Sequence, residues 1–361
     1  MDFTLVNTVF DTLQMSPPSK LVLLEAGTLA GAHVPPYPPD MAVLFAGIES
    51  KEIASQLKSV LLTTYPRDFN VFSVVGGVSN AIQLDAMDAV SPSTGACLYV
   101  PPLGEGTSFE SFAEIVAHLR APDGCPWDKE QTHESLRKHL LEESYEAITA
   151  IDSGDFADMQ EEFGDLLLQI VLHAQIANEE QQFNVNQVIQ GIHSKIVRRH
   201  PHVFGDVELE GVKGVLANWE KLKEKERRDK KVEKGLLDGV PAALPALSQA
   251  QEYQDRAARV GFDWPEIEGV LDKVREEIEE IKSAESDFEL ASEIGDLFFA
   301  LVNVARWKSV DAESALRGTN LKFKKRFGFV EQSAKKQGKS LSEMKLEEMD
   351  VFWNEAKRQG L

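Results

Sequence analysis

The sequence is poor in cysteine and has no long apolar run. Its two cysteines, Cys97 and Cys125, have neither metal-type spacing nor the number that a disulfide framework needs. We therefore expect a reducing compartment, the cytoplasm. No apolar run reaches the length that spans a bilayer, and the N-terminal segment MDFTLVNTVF lacks a basic region, so we expect neither a membrane protein nor a signal peptide.

Basic residues are scarce relative to acidic ones. The chain has 38 Lys and Arg against 59 Asp and Glu, which gives a formal net charge of −21. Because nucleic-acid binders usually carry a basic patch, we expect no nucleic-acid partner. A small phosphate-bearing ligand is compatible with this charge, since a bound divalent cation can reverse the local sign. The length of 361 residues predicts two or three domains.

Residues 1–105 alternate strand-like and helix-like patterns. The apolar runs MAVLFAG and NVFSVVGG end in glycine and predict strands, as does ACLYVPP. The intervening SKEIASQLKSVLLTTYP has helical spacing. We predict a small α/β segment here.

From residue 106 onward long helical patterns dominate, and they form an internal repeat. Each half shows five landmarks in one order: a Gly close to a Trp, an acidic helix, an apolar helix entered through Glu-x-Gly-Asp-Leu, a basic helix, and a Trp with a Lys four residues on. The charge-rich EKLKEKERRDKKVEKGLLDGVP predicts a helix end and a linker between the halves. We predict a mainly α protein with two tandem all-α domains, 106–232 and 233–361, after the segment 1–105.

The acidic helix of the second repeat places glutamates one turn apart. Glu276, Glu277 and Glu280 are surface neighbours, and like charges at this spacing destabilise a helix. The pattern alone fits a solvated acidic face as well as a ligand set. A separate apolar stripe predicts the buried side of this helix: Leu271, Val274, Ile278 and Ile281.

The following helix favours a ligand set. Glu293 and Asp296 lie one turn apart at the predicted entrance of a helix that is apolar nearly all round and predicted to be buried on most sides. Capping would explain one acid but not two that face a second acidic helix. Buried carboxylates are paired or coordinate a metal, and Mg²⁺ prefers oxygen ligands, so we predict a Mg²⁺ site that Mn²⁺ could also fill. The predicted metal ligands of the two repeats are Glu142, Glu143, Glu146, Glu162, Asp165, Glu276, Glu277, Glu280, Glu293 and Asp296.

The pattern Glu-Glu-x-x-Glu, a gap, then Glu-x-x-Asp resembles the MazG family of all-α nucleoside triphosphate pyrophosphohydrolases. The segments GCPWDKEQTHESL, RRHPHVFGD and VGFDW extend the resemblance over 106–361. It implies Mg²⁺-dependent hydrolysis of a nucleoside triphosphate between the α and β phosphates, giving the monophosphate and pyrophosphate. It also implies a homodimer.

The resemblance also implies roles for individual residues. Glu277 is the candidate general base, and Lys273 is a second candidate catalytic residue. The alternative for the basic positions is an exposed basic helix, and Trp353 could equally fill core. The predicted substrate-binding residues are Lys195, Arg199, Trp219, Lys223, Lys322, Arg326, Trp353 and Lys357.

The first repeat departs from the second at one position. His139 matches Lys273, although Lys138 is adjacent, and a mostly neutral imidazole is a poorer phosphate partner. We therefore expect the second repeat to be the stronger catalyst. Cys125 has no evident base partner in the sequence, so we expect a structural role for it.

The segment YPRDFNVFSVVGGVSNAIQLDAMDAVSPSTGACLYVPP resembles the trailing portion of a tetrapyrrole methylase domain. The chain lacks the leading Gly-rich segment of such methylases, so the resemblance implies a remnant with a scaffold role. The alternative is an unrelated α/β domain.

Two classes of function follow from the sequence. The first is a nucleoside triphosphate pyrophosphohydrolase, and the second is a non-catalytic helical module for dimerisation or partner binding. The intact acids of both repeats favour the enzyme, because a binding module would tolerate their loss.

Overall fold

A computed structural model describes residues 3–212, 214–215, 218–219, 221–222, 226 and 235–361. The chain forms two compact units, residues 1–194 and 195–361. Among the described helices, none is both long and apolar enough to cross a membrane. The domain boundaries expected near residues 105 and 232 stay predictions, and most of the charge-rich segment between the repeats lies outside the described residues.

The first unit begins with a five-stranded sheet in the order β1-β2-β5-β3-β4. Strand β1 pairs with β2 in parallel, and the other pairs are antiparallel. The strands are β1 (Leu21–Glu25), β2 (Ala42–Ala46), β3 (Asn70–Val75), β4 (Val78–Gln83) and β5 (Cys97–Val100), accompanied by the helices α1 (Phe3–Leu13) and α2 (Lys51–Leu61).

Both faces of this sheet are buried around its inner strands. Strand β2 is buried at all five positions, as its uninterrupted apolar sequence predicts. Phe45 packs with Leu57 of α2 on one face, and Leu44 packs with Phe10 of α1 on the other. Gly76 and Gly77, with φ of 58° and 78°, form the two-residue turn between β3 and β4. The predicted α/β segment is confirmed.

The helices of the first repeat follow this sheet. Thr132 starts α5 by accepting a hydrogen bond from the Ser135 amide, and Gly154 ends it at a φ of 73°. Asp155 then caps α6, so a two-residue connection makes α5 and α6 antiparallel neighbours. The helices are α3 (Phe109–Arg120), α4 (Pro126–Glu130), α5 (His133–Ser153), α6 (Phe156–Glu179), α7 (Val185–Arg199) and α8 (Pro201–Phe204).

The second unit repeats the acidic helix pair. From residue 235 onward the helices are α9 (Ala246–Arg259), α10 (Ile267–Ser283), α11 (Asp287–Trp307), α12 (Ala312–Lys336) and α13 (Leu346–Arg358). Helices α10 and α11 pack against each other as α5 and α6 do. The mainly α fold predicted from the sequence is confirmed.

The sequence predicts Glu293 and Asp296 at the entrance of a helix, but the structure places both acids further along it. Ser286 caps α11 by accepting from the Glu289 amide at 3.2 Å, so the helix begins at Asp287. Glu293 and Asp296 lie roughly two turns further along. Neither acid is a cap, because a serine does this job.

One prediction about burial is wrong. Helix α11 is not buried on most sides: Phe298 and Leu301 are 55% and 46% exposed, because the helices that contact it in this unit leave this face uncovered.

On α10 three members of the apolar stripe, Leu271, Val274 and Ile281, are half-buried, whereas Ile278 is 40% exposed. The helix also turns Val270 and Glu277 inward, so a carboxylate occupies a core position.

Candidate active site

Each repeat brings three glutamates together from its two acidic helices. In the second repeat α10 supplies Glu277 and Glu280, and α11 supplies Glu293; one carboxylate oxygen from each lies within 4.8 Å of the others. The matched residues of the first repeat meet the same criterion: Glu143, Glu146 and Glu162. The same three positions of the motif therefore converge twice.

Glu277 is the most enclosed member of the second cluster. The residue is 2% exposed, and its Oε1 lies 2.6 Å from Nζ of Lys273, while its Oε2 is buried without a hydrogen-bond partner. Lys273 Nζ also lies 2.8 Å from Oε1 of Glu276. Hydrogen bonds to Glu276 and Glu277 raise the pKa of Lys273 well above its ordinary value. A buried carboxylate with an unpartnered oxygen fits a hard cation.

Glu280 experiences the crowding of negative charge directly. Partial desolvation and the adjacent carboxylate of Glu277, together with the charge of Glu293, raise the pKa of Glu280. The cluster therefore favours an added positive charge.

A cavity of about 360 Å³ opens beside this cluster. Lys273, Glu277 and Asp296 line one part of it. The rest of its lining is mostly apolar or aromatic: Leu237, Tyr253, Gln254, Ala257, Phe262, Asp263, Trp264, Val270, Phe299, Ala300, Asn303 and Arg306. The arrangement places a flat apolar surface next to a set of carboxylates.

Buried polar groups fix the wall of the cavity. Arg306 Nη2 donates to Asp263 Oδ1 at 2.5 Å, and Arg306 Nε donates to Asn303 Oδ1 at 2.8 Å. Gln254 Nε2 donates to the carbonyl oxygen of Phe299 at 2.8 Å. Sequence reasoning used GFDW only as a landmark of the repeat, although its Phe, Asp and Trp all line the cavity.

The first cluster has a different set of counter-charges. His139 Nδ1 lies 3.6 Å from Oε2 of Glu142, so its contact is with the outer glutamate. Partial desolvation and then the charge of Asp165, followed by those of the other glutamates, raise the pKa of Glu143. Desolvation and the charges of Glu146 and Asp165 likewise raise the pKa of Glu162.

The predicted substrate-binding residues of the second repeat form a group on α12 and α13. Arg326 Nε donates to the backbone oxygen of Leu361 at 2.7 Å, and its guanidinium lies 5.8 Å from the ring centroid of Trp353. Lys357 Nζ lies 5.9 Å from the same centroid, and Lys322 is exposed. The described residues that line the cavity include none of these four.

The corresponding group of the first repeat is held by a carboxylate. Glu226 receives Arg199 Nη2 at 2.6 Å and Arg198 Nη2 at 2.7 Å, and these hydrogen bonds lower the pKa of Glu226 to about 2. Trp219 packs edge-on against His200, with ring centroids 5.3 Å apart. Lys195 is exposed, and Lys223 lies outside the described residues.

The sequence matches a known domain family and several known proteins. The model of the MazG nucleotide pyrophosphohydrolase domain matches residues 131–204 and 267–328, which contain the two acidic helix pairs. The nucleoside triphosphate pyrophosphohydrolase/pyrophosphatase MazG of Thermotoga maritima is 45% identical over 252 residues, which cover 70% of this chain and 96% of the relative. The nucleoside triphosphate pyrophosphohydrolase of Escherichia coli K12 is also 45% identical, over 68% of this chain and 96% of its own length.

A further relative extends over the N-terminal sheet. The uncharacterized protein YabN of Bacillus subtilis is 41% identical over 98% of this chain and 74% of its own length. The likeness of residues 1–105 to a tetrapyrrole methylase stays a prediction. The two family matches confirm the tandem repeat, and the chain belongs to the MazG nucleotide pyrophosphohydrolase family.

Proposed function

We propose that this chain is a Mg²⁺-dependent nucleoside triphosphate pyrophosphohydrolase, which releases the monophosphate and pyrophosphate after water attacks the α-phosphorus. One observation carries the proposal: three carboxylates converge within 4.8 Å in each repeat of a MazG family member, and one of them, Glu277, is buried. Relatives from Thermotoga maritima and Escherichia coli bear the name of this activity.

The divalent cation would be held by the carboxylates of the two acidic helices. In the second repeat these are Glu277, Glu280 and Glu293, with Asp296 beside them at the cavity. When bound, Mg²⁺ or Mn²⁺ supplies a Lewis acid that orients the triphosphate and favours ionisation of water. The pKa of Glu280, which partial desolvation and the neighbouring carboxylates raise, is in keeping with this assignment.

The chain's own groups would handle the proton and the phosphate charge. Glu277 Oε2 has no partner, so it can accept a proton from a water molecule in the cavity. Lys273 lines the same cavity and can neutralise a phosphate there. Glu277 is thus the proposed base and Lys273 the proposed electrostatic partner.

The aromatic part of the cavity would take the nucleobase. Phe262, Trp264 and Phe299 offer apolar surface within the same enclosure as the carboxylates. Most small-molecule sites combine such an apolar wall with a few fixed polar groups. Gln254 and Asn303 supply polar groups in this wall.

The basic group on α12 and α13 would contact the outer phosphates in an assembled enzyme. We propose a homodimer, because Phe298 and Leu301 on α11 and Phe323 on α12 are exposed apolar side chains. Light scattering at micromolar protein measures the mass in solution. A monomeric mass would contradict the dimer.

The geometry disfavours a purely non-catalytic module. Burying the side chain of Glu277 in a helix interface is costly, and an apolar residue would serve packing better. We place the enzyme in the cytoplasm, in keeping with its two free cysteines, Cys97 and Cys125.

A substrate panel tests the proposed function. The full chain is incubated with ribo- and deoxynucleoside triphosphates and Mg²⁺, and pyrophosphate is scored against orthophosphate. We expect pyrophosphate as the first product and loss of turnover in excess EDTA. Orthophosphate as the first product, or full turnover in EDTA, would contradict the proposal.

A further inference from the structure

Lys273 occupies a place within the ligand set of the second repeat. Its ammonium lies 2.6 Å from Glu277 and 2.8 Å from Glu276, so it neutralises the buried carboxylate directly. Its side chain is nevertheless 38% exposed, whereas that of Glu277 is 3% exposed. The lysine therefore reaches the buried acid from the solvent side and has room to move away.

The cavity gives Lys273 a second position. Lys273, Glu277 and Asp296 line the same enclosure, so a triphosphate bound there would lie within reach of the ammonium. A divalent cation on Glu277 and an ammonium 2.6 Å from the same carboxylate would repel each other strongly in a partly desolvated site. The cation and the Lys273 ammonium therefore cannot both bind Glu277 strongly.

The first repeat lacks this arrangement. His139 takes the position of Lys273, and its contact is with Glu142 at 3.6 Å rather than with Glu143. The charges near Glu143 are those of other carboxylates, of which Asp165 has the largest effect. Among the described residues no lysine pairs with a member of the first cluster, so its acids face a cation without a resident ammonium.

We propose that Lys273 is a displaceable counter-ion, which neutralises Glu277 before the cation binds and transfers to a substrate phosphate when the cation takes its place. The inference rests on the proposed function. It makes cation binding and nucleotide binding mutually dependent in the second repeat, because each removes Lys273 from Glu277 or gives it a new partner. In the first repeat the coupling is weaker.

Manganese binding without nucleotide tests the first half of this inference. The parent for the test is the full chain with Glu143→Gln and Glu146→Gln, which silences the first cluster. Free and bound Mn²⁺ are measured by electron paramagnetic resonance for the parent and for Lys273→Met, Lys273→Arg and Lys282→Met. Lys282 is the matched control, since it pairs with Glu279 at 2.7 Å on the same helix but touches no member of the cluster.

We expect Lys273→Met to bind Mn²⁺ about tenfold more tightly than the parent, with Lys273→Arg and Lys282→Met close to the parent. Equal effects of Lys273→Met and Lys282→Met would overturn the inference, because the loss of one positive charge anywhere on the helix would then explain the tighter Mn²⁺ binding. Tight binding by Lys273→Arg would also overturn it. Circular dichroism confirms that each variant is folded.

The reverse exchange keeps the test independent of how Lys273 variants fold. His139→Lys, in a chain whose second cluster is silenced by Glu277→Gln and Glu280→Gln, should weaken Mn²⁺ binding about fivefold. An unchanged or higher affinity would count against the inference.

Nucleotide coupling tests the second half. The affinity of an α,β-imido nucleoside triphosphate is measured in the Glu143→Gln, Glu146→Gln parent with and without saturating Mg²⁺. The Mg²⁺-dependent gain should shrink about fivefold in Lys273→Met and stay unchanged in Lys282→Met. An undiminished gain in Lys273→Met overturns the inference alone, whereas a parent that binds no Mn²⁺ overturns the proposed function itself.

Discussion

The two repeats present the same carboxylate cluster but differ in the partners of their basic residues. In the second repeat Lys273 lies against the buried Glu277, and Arg326 donates to the backbone oxygen of Leu361. In the first repeat His139 lies 3.6 Å from the outer Glu142 and edge-on to Trp127, and Arg199 is held by Glu226. Residues outside the shared motif therefore distinguish two sites that the motif alone makes equivalent.

This difference suggests a division of labour between the repeats. In the second repeat Lys273 pairs with a carboxylate of the cluster itself, so binding of a cation there can release it towards a phosphate. The guanidinium of Arg199 is held by Glu226, which belongs to neither cluster, so a phosphate must displace this carboxylate. The second repeat is accordingly our candidate for most of the turnover.

The largest expected effect is a loss of stability when the arginine that is hydrogen-bonded to the Trp-containing segment of each repeat is replaced. In the first repeat Arg120, 7% exposed at its side chain, donates to Glu179 at 2.7 Å and to the Gln131 carbonyl at 3.1 Å. Arg120→Met should lower the free energy of unfolding by about 3 kcal/mol, because it removes the hydrogen bonds that the guanidinium donates to Glu179 and to the backbone carbonyls of Asp128 and Gln131. In the second repeat Arg306→Met removes the bond to Asp263 and should cost about 2 kcal/mol.

Urea unfolding of the metal-free chain measures both losses. Lys282→Met is the control, since its pair with Glu279 is exposed and should contribute little. A loss for Arg120→Met no larger than that of the control would contradict this account of the first repeat.

The next effect compares the two basic groups. Arg326→Met should raise KM for a nucleoside triphosphate about tenfold with little change in kcat, since it removes a phosphate contact made equally in the ground and transition states. Arg199→Met should change KM by less than about twofold, because Glu226 already occupies that guanidinium. Steady-state kinetics on both variants measures the contrast, and equal KM values for the two would remove it.

A smaller effect depends on pH. The pKa of Glu226 is lowered to about 2 in the folded chain, so its ion pair stabilises the fold above the ordinary pKa of 4.5 and loses this effect as pH falls from there towards 2. Glu226→Gln should lower the free energy of unfolding by about 1 kcal/mol at neutral pH. Denaturant unfolding at several pH values should show the gap between wild type and variant closing below about pH 4. A gap that is constant with pH would refute the ion-pair explanation.

The smallest expected effect is a difference in sign between matched glutamates. Glu143→Gln should stabilise the metal-free chain by about 0.5 kcal/mol at neutral pH, because it relieves repulsion among neighbouring carboxylates. Glu277→Gln should destabilise it, since Lys273 then loses its buried partner. Thermal unfolding in EDTA compares the two, and a shift in the same direction for both would mean that the counter-charges do not differ as described.

Much of the fold follows from patterns along the chain. The run AVLFA is a fully buried strand because apolar β-branched and aromatic residues succeed one another without a polar break. Three of the five acids that the spacing groups in the second repeat, Glu277, Glu280 and Glu293, converge in the structure, and their role as metal ligands stays a prediction. Local periodicity and the repeat were sufficient for both.

Other features depend on contacts that periodicity does not encode. The apolar stripe of α10 did not show that Glu277 is buried while Ile278 is exposed, because packing against α11 sets the rotation of the helix. Phe298 is apolar but exposed. The sequence shows that this helix face is apolar, but it does not show whether another part of the same chain covers the face. The pairing of Arg199 with Glu226 joins residues far apart along the chain, so no local pattern announced it.

Paired double variants test whether the second repeat carries most of the turnover. The rate of pyrophosphate release is measured for Glu277→Gln with Asp296→Asn and for Glu143→Gln with Asp165→Asn, under saturating Mg²⁺ and the preferred nucleotide. The changes in the second repeat should lower the rate at least about tenfold, roughly 1.4 kcal/mol of barrier, and those in the first repeat should lower it less. Loss of activity from the first-repeat changes, with none from the second, would show that the assignment is reversed.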